Sequence, residues 1–162
     1  MIGNDIVDLN LAKIESNWKR KGFLEKIFTE KEQKLIQFSE NPEQMVWILW
    51  SGKESAYKIH NRATLVRSFI PLQLECELDL SDQFTSGKVS CFGHDYFFKT
   101  EVEQDYIYTI AVTNPNHFQN IKEFGNDFKI IKKNGIPYLY ESKSIISITH
   151  HGKFDRRISL EL

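Results

Sequence analysis

Three short segments of this 162-residue chain contain the side chains best suited to chemistry. The first is Gly3-Asn-Asp-Ile-Val-Asp8, which places the carboxyl groups of Asp5 and Asp8 beside a short apolar run. A carboxylate at the end of a buried strand offers an oxygen ligand at a fixed position, but an aspartate there more often caps the helix that follows. The segment alone therefore leaves a ligand and a helix cap as alternatives.

The second segment is Trp50-Ser-Gly-Lys-Glu-Ser-Ala-Tyr-Lys58. Glu54 and Lys58 are four residues apart, so on a helix they lie side by side and could form an ordinary exposed ion pair. Trp47 and Trp50 fall near the same face, however, and a carboxylate flanked by aromatic rings is expected to be partly buried. A buried carboxylate needs a cation or a metal ion, and these residues alone do not decide between the two interpretations.

The third segment is Ser147-Ile-Thr-His-His-Gly152, in which an apolar strand runs into a polar turn. Hydroxyl, imidazole and backbone N–H groups in such a turn suit phosphate oxygens. A surface turn after an edge strand is the alternative, and for His151 it is the one we favour. The sequence argues against a zinc site, because no further Cys or His cluster accompanies the two histidines.

Helical signals dominate the first third of the chain. Leu11, Ile14 and Trp18 have helical spacing and predict a helix over residues 8–21. Thr29-Glu-Lys-Glu32 forms a capping box that predicts a helix over residues 30–38. Asn41-Pro42 combines a favoured N-cap with proline at the first helical position and predicts a long helix over residues 42–61.

Strand signals dominate after residue 67. Leu72, Leu74, Cys76, Leu78 and Leu80 alternate with polar residues, which is typical of a half-buried strand. Asn134-Gly135 is a hairpin turn signal. Further strands are predicted over residues 1–6, 88–92, 96–102, 106–113, 128–132, 136–140, 144–149 and 158–162, with a polar segment over residues 114–127. The fold class expected is α+β, a single domain in which a long helix packs on antiparallel sheet, with residues 1–67 mostly helical and 68–162 mostly strand.

Composition limits the classes of function. The net charge of −1 gives no basic footprint for nucleic acid. The longest purely apolar run, residues 45–50, is too short to cross a membrane, and the acidic N-terminus does not resemble a signal peptide. Cys76 and Cys91 lack a metal-ligand spacing, so we expect reduced thiols and a cytoplasmic location.

The three segments, in this order, resemble the 4′-phosphopantetheinyl transferase family. Gly3-Asn-Asp5-Ile matches the family's N-terminal pattern, and the segment from Trp50 to Lys58 matches its central Trp-x-x-Lys-Glu-Ser-x-x-Lys pattern. Phe28-Thr-Glu-Lys-Glu32 matches a Phe-Thr-x-x-Glu element between them, and Thr149-His150 stands where the family has a Ser-His turn. The resemblance covers residues 1–67 well, 134–152 fairly and 68–126 loosely.

The resemblance implies a Mg²⁺-dependent enzyme that transfers 4′-phosphopantetheine from coenzyme A to a serine of an apo carrier protein and releases 3′,5′-ADP. Asp5 and Glu54 are then the metal ligands. Glu54, or a metal-bound water beside it, accepts the serine proton, and Lys58 neutralises the phosphate and assists departure of 3′,5′-ADP. Other implied roles are contacts to the phosphates of coenzyme A by Lys53, Thr149 and His150, and lesser roles for Asp8, Arg62 and Arg20.

The element order and the valine at position 7 resemble the short, trimeric holo-acyl-carrier-protein synthase type. Residues 68–126 resemble instead the second lobe of the longer, pseudo-dimeric type, so a homotrimer and a monomer both stay open. Arg156-Arg157 departs from the family, which has small or apolar residues there; it marks either a different pocket wall or an added anion contact.

Three other functions are compatible with parts of the sequence. They are a non-catalytic module that binds coenzyme A or a carrier protein, a Mg²⁺-dependent hydrolase of pyrophosphate compounds, and a structural oligomerisation domain. The combination of Asp5, Glu54 and Lys58 favours the transferase, because a mere binding module does not need all three. The carrier protein itself, from fatty-acid, polyketide or peptide synthesis, is left open, and neither nucleic acid nor membrane is expected as a partner.

Overall fold

The computed structural model describes residues 1–79, 81 and 85–161. Its α-helices are α1 (Leu9–Glu15), α2 (Phe23–Ile27), α3 (Glu30–Phe38) and α4 (Pro42–Thr64). Its strands are β1 (Ile2–Asp8), β2 (Glu75–Leu78), β3 (Ser86–Cys91), β4 (His94–Val102), β5 (Tyr106–Val112), β6 (Ile121–Glu123), β7 (Ile130–Lys133), β8 (Ile136–Leu139), β9 (Ile146–His151) and β10 (Phe154–Leu160). Short 3₁₀ helices occupy Pro71–Gln73 and Pro115–Asn120.

The long helix α4 is the centre of the fold. Asn41 caps its first turn by accepting from the Gln44 N–H, with Pro42 at the first helical position, as its sequence signals predict. It continues to Thr64, three residues beyond the predicted end, and stops where Leu65 takes a left-handed conformation with φ of 60°. Its buried Val46, Leu49 and Ile59 form the core with residues of the sheet.

The main sheet has five strands in the order β1-β5-β4-β3-β2, and every neighbouring pair is antiparallel. β1 lies at one edge and packs closely on α4. The packing is so close that a Cβ on Gly3 would lie only 2.0 Å from the Ser55 carbonyl oxygen. This close approach sets the distance between the first and second polar segments. The expected α+β class, with a long helix on antiparallel sheet, is confirmed.

A second sheet has the order β6-β10-β9, and β7 and β8 form a hairpin. The hairpin turns at Asn134 and Gly135, whose φ angles are 53° and 79°, as their sequence predicts. β9 runs alongside the free edge of β1, so the second sheet closes over the site described below. None of the helices in the described ranges combines the length and apolarity that a membrane crossing needs.

Several predicted elements are wrong in extent, including the strand predicted over residues 158–162, which begins at Phe154. The helix predicted over residues 8–21 ends at Glu15, where Ile14 is 84% exposed and burial gives no reason to continue it; α2 was not predicted. The strand predicted from Leu72 begins only at Glu75, because Pro71 starts a 3₁₀ turn and leaves Leu72 exposed. The predictions for Leu80 and Leu162 lie outside the described residues.

The capping box is confirmed in both of its halves. The Thr29 N–H donates to Glu32 Oε2 at 2.8 Å, and the Glu32 N–H donates to Thr29 Oγ1 at 3.4 Å. α3 accordingly spans the predicted residues. The polar segment predicted over residues 114–127 instead contains a 3₁₀ turn and the short strand β6.

Candidate active site

Asp5 on β1 and Glu54 on α4 line one cavity of about 310 Å³. Trp47 and Trp50 of α4 form part of its wall, as the shared helix face predicts. His150 and His151 of β9, together with residues of α1 and α2, complete the lining. Segments from the start, the middle and the end of the chain thus meet at one cleft, called here the carboxylate cleft.

Ionisation of Asp5 and of Glu54 is less favourable in this cleft than in water. Burial, and then repulsion by Asp5, raise the pKa of Glu54 to about 7, although Lys58 opposes the shift. Burial also raises the pKa of Asp5 against the opposing attraction of Lys58 and hydrogen bonds from Ser51 and Thr149. A divalent cation between them would relieve both penalties.

Lys58 is the cation nearest to these acids. Its Nζ lies 3.8 Å from Asp5 Oδ1 and donates to the carbonyl oxygens of Asn4 at 2.5 Å and Ile148 at 3.4 Å. Because these carbonyls belong to β1 and β9, the ammonium group is fixed at the junction of the two strands. The simple helix ion pair between Glu54 and Lys58 is therefore replaced by a contact to Asp5.

Side chains of β9 satisfy the backbone of the free edge of β1. Three N–H groups of β1 at alternate residues donate to three β9 side chains at alternate residues, and we call this set the side-chain ladder. Its bonds are Asn4 to Ser147 Oγ at 3.0 Å, Ile6 to Thr149 Oγ1 at 3.2 Å and Asp8 to His151 Nδ1 at 2.8 Å. The ladder takes the place of backbone pairing and fixes β9 relative to β1.

Thr149 connects this ladder to the carboxylate cleft. Its hydroxyl accepts from the Ile6 N–H and donates to Asp5 Oδ1 at 3.3 Å, and the residue is only 5% exposed. The hydroxyl is therefore placed to orient Asp5 rather than to meet a phosphate directly. His150, in contrast, is exposed and lines the cleft, so it can reach a ligand.

His151 has a defined tautomer. Because its Nδ1 accepts from the Asp8 N–H, the ring proton of the neutral form lies on Nε2, which is 3.5 Å from Glu15 Oε2. Although its ring lines the cleft, it is tied to β1 and α1, so it is not a free surface residue as the turn alternative assumed.

Asp8 acts as a helix cap. Its Oδ1 accepts from the N–H groups of Asn10 and Leu11 at the start of α1, and its Oδ2 accepts from the Lys153 N–H. A Cβ on Gly152 would lie 2.3 Å from Asp8 Oδ2, so the turn needs glycine there. Asp8 does not line the carboxylate cleft. The sequence left a ligand and a helix cap as alternatives, and the structure agrees with the helix cap.

Lys53 is placed away from the cleft. Its side chain is fully buried, and its Nζ lies 2.6 Å from Glu32 Oε2 and donates to the carbonyls of Ile27 and Pro71, each at 2.8 Å. An ammonium group so enclosed has no donor left for a phosphate of coenzyme A. The predicted phosphate contact does not fit this position.

The remaining basic candidates lie around the site rather than within it. Arg20 is exposed and stacks 5.5 Å from the ring of Phe23, which lines the cleft. Arg62 lies one turn beyond Lys58 and donates to the Ile146 carbonyl. Arg156 pairs with Glu123 and Arg157 with Asp155, so neither is an uncompensated anion contact.

The donor set suits a hard divalent cation that shares its coordination with a ligand. Among the described residues no group of three or more His, Cys, Asp or Glu side chains could hold a metal ion. Asp5 and Glu54 can supply two carboxylate oxygens, and Mg²⁺ commonly combines so few protein ligands with water and phosphate oxygens. The residues present therefore fit Mg²⁺ bound together with a phosphate-containing substrate.

The family model described as 4′-phosphopantetheinyl transferase superfamily matches residues 1–111, more than half of the chain. The chain belongs to the 4′-phosphopantetheinyl transferase superfamily. Asp5, Glu54 and Lys58 of this transferase all lie within the matched residues. No curated protein matches the chain.

A solved structure has the same fold. It is an apo-ACPS structure from Chronobacterium ammoiniagenes, with a TM-score of 0.53 and 15% sequence identity, covering 68% of this chain and 93% of that one. At this identity the likeness concerns the fold alone.

The carboxylate cleft also includes residues beyond the family match. β9, which supplies Thr149, His150 and His151, lies after residue 111. Sequence reasoning missed the roles of Ser147, which holds the Asn4 N–H, and of Ser51, whose hydroxyl donates to the Asp5 carbonyl. Polar residues at every second position of β9, namely Ser147, Thr149 and His151, were the available signal.

Proposed function

We propose that this transferase moves 4′-phosphopantetheine from coenzyme A to a serine hydroxyl of an apo acyl or peptidyl carrier protein, in a Mg²⁺-dependent reaction of the holo-acyl-carrier-protein synthase type. The observation that carries the proposal is the pair of carboxylates, Asp5 and Glu54, in one cleft with Lys58 beside them. Family membership limits the chemistry to phosphopantetheinyl transfer, and this arrangement supplies groups suited to it.

The reaction exchanges one bond to phosphorus for another. The serine oxygen forms a bond to the phosphorus that bears pantetheine, and the bond from that phosphorus to the bridging pyrophosphate oxygen breaks. The serine gives up its proton, and 3′,5′-ADP departs with the bridging oxygen. The enzyme therefore needs a proton acceptor and positive charge near the pyrophosphate, but no nucleophile of its own.

Glu54 is the proposed proton acceptor, because it is a carboxylate that lines the cleft in which the serine would react. Lys58 places its ammonium beside the cleft, where it stabilises the negative charge that develops on the leaving phosphate. Mg²⁺ held by Asp5 and Glu54 would supply further charge stabilisation at the pyrophosphate. His150 contacts a phosphate from the exposed side, and Thr149 keeps Asp5 oriented.

The serine must arrive on a protein, so the cleft needs a docking rim. Arg20 stands beside Phe23 at that rim, with Lys19 and Lys21 as sequence neighbours. We assign these basic residues to an acidic carrier surface. Cys76 and Cys91 are both free and buried, which agrees with the cytoplasmic location that we propose.

The proposal is tested by following coenzyme A with and without an apo carrier protein. We expect release of 3′,5′-ADP only when Mg²⁺ and the carrier are both present. Release without a carrier would support the pyrophosphate hydrolase instead. Binding of coenzyme A without release, across fatty-acid, polyketide and peptide carriers, would support the non-catalytic binding module.

A further inference from the structure

A groove lies between α3 and the first turns of α4, on a different flank of α4 from the carboxylate cleft. We call it the α3–α4 groove. Its volume is about 630 Å³, against about 310 Å³ for the carboxylate cleft, and none of the described residues that line it also lines that cleft. A groove of this size can hold a small molecule.

The two long walls of the groove are apolar. Leu35 and Phe38 lie one turn apart on α3, and Met45 and Ile48 lie one turn apart on α4. Met45 and Ile48 are buried and Leu35 packs partly against the core, whereas the side chain of Phe38 is 79% exposed. The walls therefore continue the hydrophobic core out to an aromatic ring in water, and an apolar ligand would cover this surface.

The two ends of the groove differ in charge. Lys31 and Lys34 lie toward the start of α3, and Glu40 lies in the connection between the two helices. Lys31 is paired with Glu75, but none of the ion pairs between described residues involves Lys34. One uncompensated ammonium group thus marks the end at the start of α3, and Glu40 disfavours an anion at the other end.

This arrangement defines the shape and charge of the ligand. Lys31 and Phe38 are seven residues apart, which is about 10 Å along the axis of α3. A complementary ligand is elongated, is apolar along most of its length and bears a single negative charge at one end. A fatty acid has these properties. A nucleotide does not, because it would bring several charges to one lysine and little apolar surface to the walls.

We propose that the α3–α4 groove binds a fatty acid, with the carboxylate at Lys34 and the alkyl chain along Leu35, Phe38, Met45 and Ile48. The inference goes beyond the function proposed above and does not depend on it, because the groove and the carboxylate cleft share no described residue. It gives the chain a second ligand site, which needs neither Mg²⁺ nor coenzyme A.

The test is calorimetric titration of the full chain with octanoate, decanoate and dodecanoate, each below its micelle concentration and in EDTA. We expect one saturable site, with an affinity that rises about two- to fourfold for each added CH₂ group. Phe38→Ser should weaken the binding of dodecanoate and reduce this dependence on chain length. Because Phe38 is exposed, the variant should unfold in urea as the wild type does, which shows that lost binding is not lost folding.

A second pair of variants tests the carboxylate contact. Lys34→Gln should weaken the binding of decanoate about two- to fivefold and leave the binding of decanol, its uncharged analogue, unchanged. Lys13→Gln is the matched control, because Lys13 is also an exposed lysine on a helix but lies outside the groove. It should bind both compounds as the wild type does.

Three results would overturn the assignment. They are the absence of saturable binding of dodecanoate, equal binding of dodecanoate by the wild type and Phe38→Ser, and equal losses for decanoate in Lys34→Gln and Lys13→Gln. Failure of the proposed function would look different, because dodecanoate would still bind in the groove while no carrier protein is modified. Transfer by a chain that binds no fatty acid would reject the groove assignment alone.

Discussion

Asp5 and Glu54 face each other's charge in a partly buried cleft, and each has a raised pKa. Without a cation the folded chain bears the cost of holding two carboxylates together. Residues arranged for function rather than for stability behave in this way. The cost has a measurable consequence at Glu54.

Glu54→Gln should change how stability depends on pH. Between pH 4.5 and about 7 the native state retains a proton on Glu54 that the unfolded chain releases, so the unfolding free energy falls as pH rises through this window. The variant lacks this fall. In EDTA we expect the wild type to lose on the order of 2 kcal/mol relative to the variant between pH 5 and pH 8.

Urea unfolding at the two pH values measures this difference, and added Mg²⁺ should stabilise the wild type more than the variant at pH 8. Parallel pH dependence in EDTA would show that Glu54 is not held in a costly environment.

Thr149→Val should lower activity through Asp5. The valine keeps the shape but removes the donor to Asp5 Oδ1 and the acceptor for the Ile6 N–H. Loss of such a supporting contact typically costs about 10–100-fold in metal affinity or activity. We expect Thr149→Val to need a higher Mg²⁺ concentration for half-maximal activity and to have a lower kcat, and Thr149→Ser to restore both values. If Thr149→Val changed only the KM for coenzyme A, a direct contact between Thr149 and a phosphate would be favoured instead.

At the scale of elements, the motif lysine Lys53 ties helices together. Its ammonium joins α4 to the N-terminus of α3 through Glu32. It also joins α4 to the end of α2 through the Ile27 carbonyl and to the 3₁₀ turn through the Pro71 carbonyl. Glu32 in turn completes the capping box and accepts from the Cys76 N–H at 2.7 Å. Within the Trp50–Lys58 motif, Lys53 therefore has a structural role, whereas Glu54 and Lys58 lie at the cleft.

Lys53→Met should destabilise the fold, because it leaves Glu32 as an uncompensated buried charge. The expected loss is about 3–5 kcal/mol in the unfolding free energy measured with urea. Lys31→Met, which removes the exposed ion pair to Glu75, is the control and should leave the unfolding free energy close to that of the wild type. An unchanged stability for Lys53→Met, together with weakened binding of coenzyme A, would restore the phosphate role.

The contact between β1 and α4 depends on Gly3. In Gly3→Ala the new Cβ would lie 2.0 Å from the Ser55 carbonyl, a backbone atom that cannot move alone. We expect a loss of roughly 1–3 kcal/mol on thermal or urea unfolding, and reduced activity because Asp5 shifts from Glu54. Gly125→Ala, which meets nothing closer than 3.9 Å, should be neutral; equal effects of the two would contradict the close packing.

Local signals predicted the elements that have strong local causes. The caps at Thr29 and Asn41 predicted the starts of α3 and α4, and the Asn134-Gly135 turn predicted the β7–β8 hairpin. The pattern failed after Pro71, because the predicted alternating run from Leu72 follows a proline that starts a 3₁₀ turn and cannot donate a backbone hydrogen bond. The position of Lys53 could not be predicted, since its partner is 21 residues away on another helix.

At the scale of the whole molecule, the site depends on contacts between distant parts of the chain. The side-chain ladder joins residues 143 positions apart in sequence. A pattern of hydrophobicity does not contain such pairings, so the resemblance indicated which segments mattered but not that Thr149 orients Asp5. The described groups of the carboxylate cleft come from one copy of the chain, and the choice between a homotrimer and a monomer stays open.

The central claim is tested most directly by intact-mass spectrometry of an apo carrier protein incubated with this transferase, coenzyme A and Mg²⁺. The account predicts a gain of one phosphopantetheine on the carrier's serine, abolished by EDTA and by Glu54→Ala. No gain on fatty-acid, polyketide or peptide carriers, by a folded protein that binds coenzyme A, would contradict it.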